Sequence, residues 1–405
     1  MSTVTKQKPL VPELRFSGFD GEWQKNTFKD LVKINQGLQI AISERMTSPD
    51  ENSHFYITNE FLRPGNKKKY YIKNPPPSVV CNEDDVLMTR TGNTGKVVTG
   101  VSGAFHNNFF KIKYEPSELD KRFLVSFLTL PTTQNRILVM AGTSTIPDLN
   151  HTDFYKINIS RPEITEQQKI ADFLGSVDAW LDNLRQQKTA LESYKRGMMQ
   201  KLFTQQVGFK DDNGKNFPEW KEVKLSQLGK FIGGIGFSES QQGGKDGVSF
   251  YKVSDMNLPG NEVEMVTANN YVTEEQIKLN RYKPIKEKAL IFAKVGAAIY
   301  MERKRIAENF LLDNNMMAFV TTENIWFMYY LSQTVRFSKY AQVGALPSCN
   351  GSDIGDIKVE IPTSASEQKK ITDFLTVIDQ TITAEAEEIT RVEQWKKGLM
   401  QKMFV

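Results

Sequence analysis

A chain of 405 residues, 39% hydrophobic and 25% charged, has the composition of a soluble globular protein and the length for two to three domains, each burying its own core. A net charge of +4 is too small to mark a polyanion-binding protein globally, so such a function must rest on local clusters of lysine and arginine. Two cysteines, Cys81 and Cys349, have no paired spacing; they indicate neither a disulfide framework nor a zinc site and predict two buried or idle thiols.

Taken in chain order, the N-terminal stretch "MSTVTKQKPLVPELRF" lacks the apolar core of a signal peptide, and no later run reaches the length of a membrane span. A cytosolic protein is expected. The motif "EWQKNTFKDLVKINQG" (22–37) opens a globular part that continues through a basic run, "RPGNKKKYYIK" (63–73), a proline turn, "NPPP" (74–77), and a strand, "DVLMT", followed by the loop "RTGNTG". The approach "KINISRPEITEQQKI" then leads into a long helix over 165–203. Its apolar residues, Ile170, Phe173, Leu174, Val177, Leu181, Leu184, Leu191 and Met198, recur in steps of three and four. Thr165 with Gln168 has the pattern of a capping box, and Pro162 blocks extension backwards.

After residue 204 the same order recurs. "EWKEVKLSQLGKFIGG" (219–234) resembles the first motif, "ALIFA" stands where "DVLMT" stood, and residues 366–404 align without a gap on 165–203 at an offset of 201, with sixteen of 39 positions identical. Just upstream the offset is 200, pairing Pro147 with Pro347, Asn150 with Asn350 and Pro162 with Pro362. The second helix carries Ile371, Phe374, Leu375, Ile378, Ile382, Ile389, Val392 and Leu399 on its stripe, with Ser366 as its cap. The chain is one design written twice. Its expected parts are a globular domain over 1–160, a helix over 161–204, a second domain over 205–361 and a second helix over 362–405. At about 58 Å each if unbroken, such helices need partners, and the obvious partner for each is the other copy. Antiparallel packing would give a pseudo-twofold with the globular parts at opposite ends, the geometry of a ruler with two readers.

Together, the two EQ-x-KI-x-D-F-L helices, the E-W motif of each half, the "RTGNTG" loop and the "KINISRPEITEQQKI" approach resemble the DNA-specificity subunits of type I restriction-modification systems, over nearly the whole chain. The resemblance implies a mixed α/β (α+β) fold with two target recognition domains joined by two long antiparallel coiled-coil helices. It further implies a non-catalytic subunit that reads a bipartite, asymmetric double-stranded DNA target. Two methyltransferase subunits and two endonuclease/translocase subunits would be its partners. S-adenosylmethionine, ATP and Mg2+ would be used by those other subunits, with no cofactor or metal in this chain.

Reading DNA requires side chains that reach base edges and cations that hold phosphates. In the first half Lys67, Lys68, Lys69, Tyr70, Tyr71, Lys73, Arg90, Thr91, Asn93 and Lys96 supply such groups on segments that read as loops; in the second half Lys245, Lys252, Ser254, Lys294, Arg303, Lys304 and Arg305 do so. Arg90 and Lys294 follow matching strands and are candidates for a shared backbone clamp. The two halves otherwise diverge, notably in "GLQIAISERMTSPDENSH" against "GIGFSESQQGGKDGVS", so two different half-sites are expected. At the helix ends Tyr194, Gly197, Phe203, Trp395, Gly398 and Phe404 either bind methyltransferase helices or pack in the core.

Two rival readings stand beside this one: a solitary adenine methyltransferase, and a coiled-coil adaptor without nucleic-acid binding. The "NPPP" run evokes the Asn-Pro-Pro-aromatic motif of adenine-N6 methyltransferases, but Pro77 replaces the stacking ring. Glu239 stands where a third glycine would complete a G-x-G-x-x-G loop, and Arg90 and Val97 break a P-loop pattern. The three histidines, His54, His106 and His151, are far apart in sequence and form no catalytic or metal pattern.

Overall fold

The computed structural model describes residues 9–142, 145–342, 344 and 346–405. The chain forms two compact units, one made of the residues up to Arg185 together with Glu387–Val405, the other of Gln186–Ala386. The division falls within the polar middles of both long helices, so each unit consists of one globular part and one half of each helix.

The first unit opens with β1 (Gln24–Thr27), a single turn α1 (Phe28–Leu31) and β2 (Val32–Gln36). Next come β3 (Ser53–Ile57), β4 (Tyr71–Lys73), β5 (Val80–Cys81), β6 (Val86–Thr89), β7 (Val97–Val98), β8 (Gly103–Phe105) and β9 (Phe109–Tyr114). Three helices, α2 (Lys121–Thr129), α3 (Pro131–Ala141) and α4 (His151–Tyr155), precede β10 (Asn158–Arg161) and the long α5 (Ile164–Phe203). One sheet has the order β2-β9-β6-β7 and is antiparallel throughout; a second, β4-β3-β8-β5, contains one parallel pair, β3 with β8; β1 and β10 form a separate ribbon.

Strand β6 explains its own letters. All four of its residues are buried, because alternate side chains enter different cores: Val86 and Met88 join Phe110, Ile112, Phe123 and Phe154, whereas Leu87 joins Phe105 and Phe109 on the opposite face. A strand covered on both sides reads as a continuous apolar run.

The second unit repeats this plan with β11 (Lys221–Lys224), α6 (Leu225–Leu228), β12 (Gly229–Gly233), β13 (Val248–Tyr251), β14 (Tyr271–Val272) and α7 (Glu274–Asn280). It continues through β15 (Ala289–Ala293), β16 (Lys304–Ala307), β17 (Phe310–Leu312), β18 (Met316–Thr321), α8 (Ile325–Thr334), α9 (Gly351–Gly355), β19 (Lys358–Ile361) and α10 (Ala365–Met403). Sheet β12-β18-β15-β16 matches β2-β9-β6-β7, the parallel pair β13 with β17 matches β3 with β8, and the ribbon β11-β19 matches β1-β10. The duplicated "EW" segments have a concrete cause. Phe28 N–H donates to Ile157 O and Leu225 N–H to Ile357 O, at 2.9 and 3.0 Å. A Cβ on Gly37 would lie 2.2 Å from Phe105 O, and one on Gly234 1.9 Å from Asp313 O, so both motifs must end in glycine where the chain passes from one sheet to the other.

Helices α5 and α10 begin at Ile164 and Ala365, one residue before the expected caps. Thr165 is therefore inside the first turn, where its hydroxyl donates to Glu163 Oε1 at 2.8 Å instead of closing a box with Gln168, and Ser366 is likewise internal. In the first unit the helices run antiparallel, with Asp178 bonded to Lys396 (2.5 Å) and Arg185 to Glu393 (2.7 Å). Val177, Leu181, Leu184, Ile389 and Val392 form the seam between them, while Ile170 and Leu174 enter the globular core. In the second unit Lys195 pairs with Asp379 at 2.5 Å, and Met199 and Leu202 join Ile371, Leu375 and Ile378. Each fully buried leucine stabilises by about 1.5–3 kcal/mol, against under about 1 kcal/mol for an exposed ion pair, so the apolar stripe holds the helices and the charges set their register.

Candidate nucleic-acid interface

The best-defined site is a loop junction built once in each unit. In the first, the chain leaves β6 at Thr89; Arg90 N–H donates to Asn108 O (2.7 Å), and Arg90 O accepts from Leu149 N–H (2.9 Å). The loop turns through Gly92 and Gly95, both with positive φ, and closes with Gly95 N–H on Thr89 O at 2.8 Å. Thr94 Oγ1 donates to Pro147 O at 2.6 Å, and the Thr91 hydroxyl donates to Asp148, so the 146–149 segment is tied to the 90–95 loop. In the second unit Lys294 N–H donates to Asn315 O, Cys349 N–H to Lys294 O and Gly296 N–H to Pro347 O, each at 2.8 Å. Arg90 and Lys294 thus occupy one structural position.

Their side chains differ in what surrounds them. Arg90 Nη2 bonds Asp148 at 2.6 Å, Nε donates to Leu149 O at 3.4 Å, and the guanidinium lies 5.6 Å from the Phe110 ring. At the matching place to Asp148 the second unit has Ser348, and among the described residues the Lys294 ammonium has no carboxylate partner. Arg90 is therefore engaged within the fold, whereas Lys294 forms no ion pair among the described residues. Beside the junctions Ile146 and Leu346, at matching positions, are 62% and 63% exposed.

The remaining first-half candidates divide by environment. Lys67, Lys68 and Lys69 are exposed on the segment before β4 and have no carboxylate partner among the described residues. Lys96 is exposed and reaches Leu62 O at 3.3 Å, and exposed Asn93 accepts the Thr89 hydroxyl on its carbonyl. The loop reading fails for Tyr71 and Lys73, which lie in β4: Tyr71 exchanges backbone bonds with Met46 and packs on Phe55, and Lys73 pairs with Asp50. Tyr70 lies under a cation absent from the candidate set, Arg45, whose guanidinium is 5.3 Å from the Tyr56 ring and 5.7 Å from that of Tyr70. An isolated arginine in "SERMT" carries no cluster signal; only the fold brings it to two aromatic rings.

In the second half Lys245 and Ser254 are exposed, and Lys252 is half-buried, bonding Gln242 at 2.6 Å over the Phe237 ring. The "ERKR" cluster needs correction. Lys304 is 1% exposed, held by Glu302 (2.6 Å) and Val335 O (2.9 Å) above Phe337, and cannot reach DNA. Arg305 donates to Asn261 O (2.5 Å) and Lys304 O (2.9 Å), and burial lowers its pKa. Arg303 is half-buried and donates to Asn257. The run reads as a charged surface because β16 alternates its faces, and its inward lysine brings its own counter-ion, Glu302, whose carboxyl is held below its ordinary range by Lys304 and the Ser338 N–H against the effect of burial.

At the helix ends Phe404 is buried, stacked on Phe123 at 5.0 Å, and Phe203 packs between Trp220 and Phe327. Phe404 is a core residue of its own unit and Phe203 is half-buried against the other core, so packing within the chain accounts for both rings. Gly197 and Gly398 meet nothing within 4 Å of a Cβ. Trp395 remains, 47% exposed with its ring set edge-on to Trp180 at 6.4 Å; Tyr194 is also exposed.

Asn74 of the proline run has a φ of +45° in the turn between β4 and β5, with Pro76 and Pro77 exposed. Both cysteines are buried free thiols, Cys81 raised to about 11 by burial. Among the described residues no three His, Cys, Asp or Glu side chains form a metal cluster, and no helix is long and apolar enough to cross a membrane.

Comparison with known proteins agrees with the duplication. The model of the type I restriction modification DNA specificity domain matches twice, over residues 20–193 and 218–394. The Type I restriction enzyme MjaVIII specificity subunit of Methanocaldococcus jannaschii is 25% identical over 417 residues, covering 95% of this chain and 92% of that protein. The putative MjaX specificity subunit of the same organism is 27% identical over 272 residues, 63% of this chain and 60% of that protein. Among solved structures, the S subunit of a type I restriction-modification system from M. genitalium shares the fold with a TM-score of 0.55 at 17% identity, covering 98% of this chain and 99% of that one. A chain solved in a study of complex assembly and conformational transition of the type I R-M system gives 0.57 at 14% identity, covering 94% and 97%. A specificity-domain match over each half, on a fold whose four-stranded antiparallel sheet, parallel strand pair and terminal ribbon all recur, makes this chain a member of the type I restriction-modification DNA specificity family.

Proposed function

We propose that this chain is the non-catalytic, DNA-reading and scaffolding subunit of a type I restriction-modification complex in the cytoplasm. The globular parts, residues 1–160 and 205–361, each read one half of a split, asymmetric DNA target. Two methyltransferase subunits dock on the long helices through exposed aromatics such as Trp395 and Tyr194, and two ATP-driven endonuclease subunits join that core. S-adenosylmethionine, ATP and Mg2+ act in those other subunits.

The observation that carries this reading is the junction made twice with one backbone and two chemistries: Arg90 closed by Asp148 in one half, Lys294 open beside Ser348 in the other. A duplicated frame with diverged tips suits two half-sites of different sequence. Unpaired lysines such as Lys67, Lys68, Lys69 and Lys294 suit phosphates, and the apolar tips Ile146 and Leu346 suit thymine methyls or base steps. The test is methylome sequencing of cells that express this chain with its cognate partners. Methylated adenines should fall in one split motif, and replacing residues 1–160 with those of a relative should change one half of it alone. Methyl transfer by the isolated chain would overturn the assignment.

A further inference from the structure

The two halves differ at one buried site outside the loop junctions. In the first unit Glu166 is 1% exposed, and both of its carboxylate oxygens are taken by Arg15, Nε to Oε1 at 2.8 Å and Nη2 to Oε2 at 2.7 Å. The same guanidinium bonds Gly21 O (2.6 Å) and Asp20 O (3.0 Å), so it is saturated by a carboxylate and two carbonyls. Phe16, the next residue, meets Phe173 edge-on at 5.6 Å.

The second unit keeps the aromatic pair and the carboxylate but lacks the cation. Phe209 meets Phe374 edge-on at 5.7 Å, and Phe374 and Glu367 lie 201 positions beyond Phe173 and Glu166. By that correspondence Gly208 stands where Arg15 stands. Glu367 is 5% exposed, and its Oε1 accepts from Trp220 Nε1 at 3.1 Å; its Oε2 has no partner. The nearby Lys370 is bonded to Asp212 (2.7 Å) and Lys210 O (2.9 Å) instead. An open pocket lies at the site, lined by Gly208, Phe209, Asn216, Phe217, Trp220 and Glu367. The indoles register the same exchange. Trp220 bonds the half-free carboxylate, whereas the indole N–H of Trp23, near a Glu166 already filled by Arg15, is buried without a partner. A buried carboxylate oxygen with no donor is costly, and a planar fork of N–H groups is the donor set that fits it.

We propose that the pocket beside Glu367 is a guanidinium-binding site, filled from outside the chain by the group that Arg15 supplies internally in the first half. The carboxylate, with Oε2 free and Oε1 shared with the Trp220 indole, and the Phe209 and Trp220 rings offer a guanidinium two acceptor oxygens and flat walls, the Phe217 ring being already faced by the Lys370 ammonium at 5.8 Å; a primary ammonium would meet the charge without the geometry. The source is an arginine side chain of an associating protein or a free small guanidinium compound.

The probe is methylguanidinium, with methylammonium as control, added at low millimolar concentration to the full chain while the Trp220 indole N–H resonance is followed by NMR, assigned with Trp220→Phe. Methylguanidinium should shift that resonance saturably and raise the Tm, and methylammonium should not. Gly208→Arg should move the resonance and raise the Tm without any ligand, and should abolish the response. A Cβ on Gly208 meets nothing within 4 Å, and its φ is not positive, so the new side chain is accommodated. Glu367→Gln should abolish the response in an otherwise folded chain. If the methyltransferase partner alone moves the Trp220 resonance to its position in Gly208→Arg, the source is a protein arginine; if only the small molecule does, it is a free ligand. The small-molecule arm does not depend on DNA reading, so its failure leaves that assignment untouched. No response to methylguanidinium together with a Gly208→Arg chain no more stable than the original would overturn the proposal.

Discussion

Arg90→Ala and Lys294→Ala form a matched pair of perturbations at one backbone position, and the structure assigns them opposite effects. Arg90 loses a 2.6 Å ion pair to a half-exposed Asp148 and a stacking contact at 5.6 Å on Phe110. At about 0.5–1 kcal/mol each, with the exposure of Asp148 keeping the ion pair at the low end, the first unit should lose about 1–1.5 kcal/mol. Lys294 has no such contacts among the described residues, so its removal should change stability by under about 0.5 kcal/mol. For DNA binding the order reverses. If Lys294 neutralises one phosphate, its loss should reduce the slope of log K against log salt by about 0.9, while Arg90→Ala, measured well below its unfolding range, should leave the slope nearly unchanged. The assays are urea denaturation of the full chain and salt-dependent binding of the methyltransferase complex to its cognate duplex. A slope lowered by Arg90→Ala and unaffected by Lys294→Ala would refute the reasoning.

Phe404→Ala removes a ring packed on Phe123 and Trp23 and should destabilise the first unit by about 3–5 kcal/mol in calorimetry, whereas Trp395→Ala, which loses edge-on contacts with Phe173 and Trp180, should cost only about 1–2 kcal/mol and weaken methyltransferase association in titration calorimetry. Gly234→Ala drives a methyl to within 1.9 Å of Asp313 O and should cost on the order of 3 kcal/mol or prevent folding, read by expression level and circular dichroism. Burial raises the pKa of Glu367, so between the ordinary glutamate range and the raised value the folded state holds a proton that the unfolded chain has released; stability falls as pH rises through that window. Glu367→Gln should accordingly be more stable than the native chain at neutral pH, with the difference vanishing below the ordinary range. A difference independent of pH would show that the carboxylate is not the cause.

The long helices were legible because repetition at a fixed offset is a strong signal, and their ends fall within three residues of expectation because Pro162 and Pro362 bar extension backwards. The caps were not: Thr165 and Ser366 have the right chemistry two residues past the cap positions, and helix starts are local competitions that a single letter decides poorly. Strands β6 and β15 announce themselves through double-sided burial, while β4 does not, since Tyr71–Lys73 becomes a strand only by pairing with Ser53–Phe55. The basic site was the least legible part. Counting charges cannot see an aspartate 58 positions away that occupies Arg90, or the fold of β16 that takes Lys304 inside.

The features that recur in both halves and those that differ answer to different constraints. Gly37 and Gly234, the backbone bonds of Arg90 and Lys294, and the aromatic pairs Phe16–Phe173 and Phe209–Phe374 recur because each satisfies a backbone or packing requirement that either copy must meet alone. Asp148 against Ser348 and Arg15 against Gly208 differ at positions where a side chain completes another side chain, so one copy can close a charge internally and the other leave it for a partner. Duplication therefore fixes the frame twice, and at these two positions it leaves Lys294 without a carboxylate and Glu367 half-bonded in the second unit. A cation left open calls for an anion, and a buried carboxylate left half-bonded calls for a cation. On this argument the second unit depends more on its surroundings than the first, and ligands that satisfy the two sites should stabilise it independently of one another, since they engage separate elements at β15 and at the start of α10.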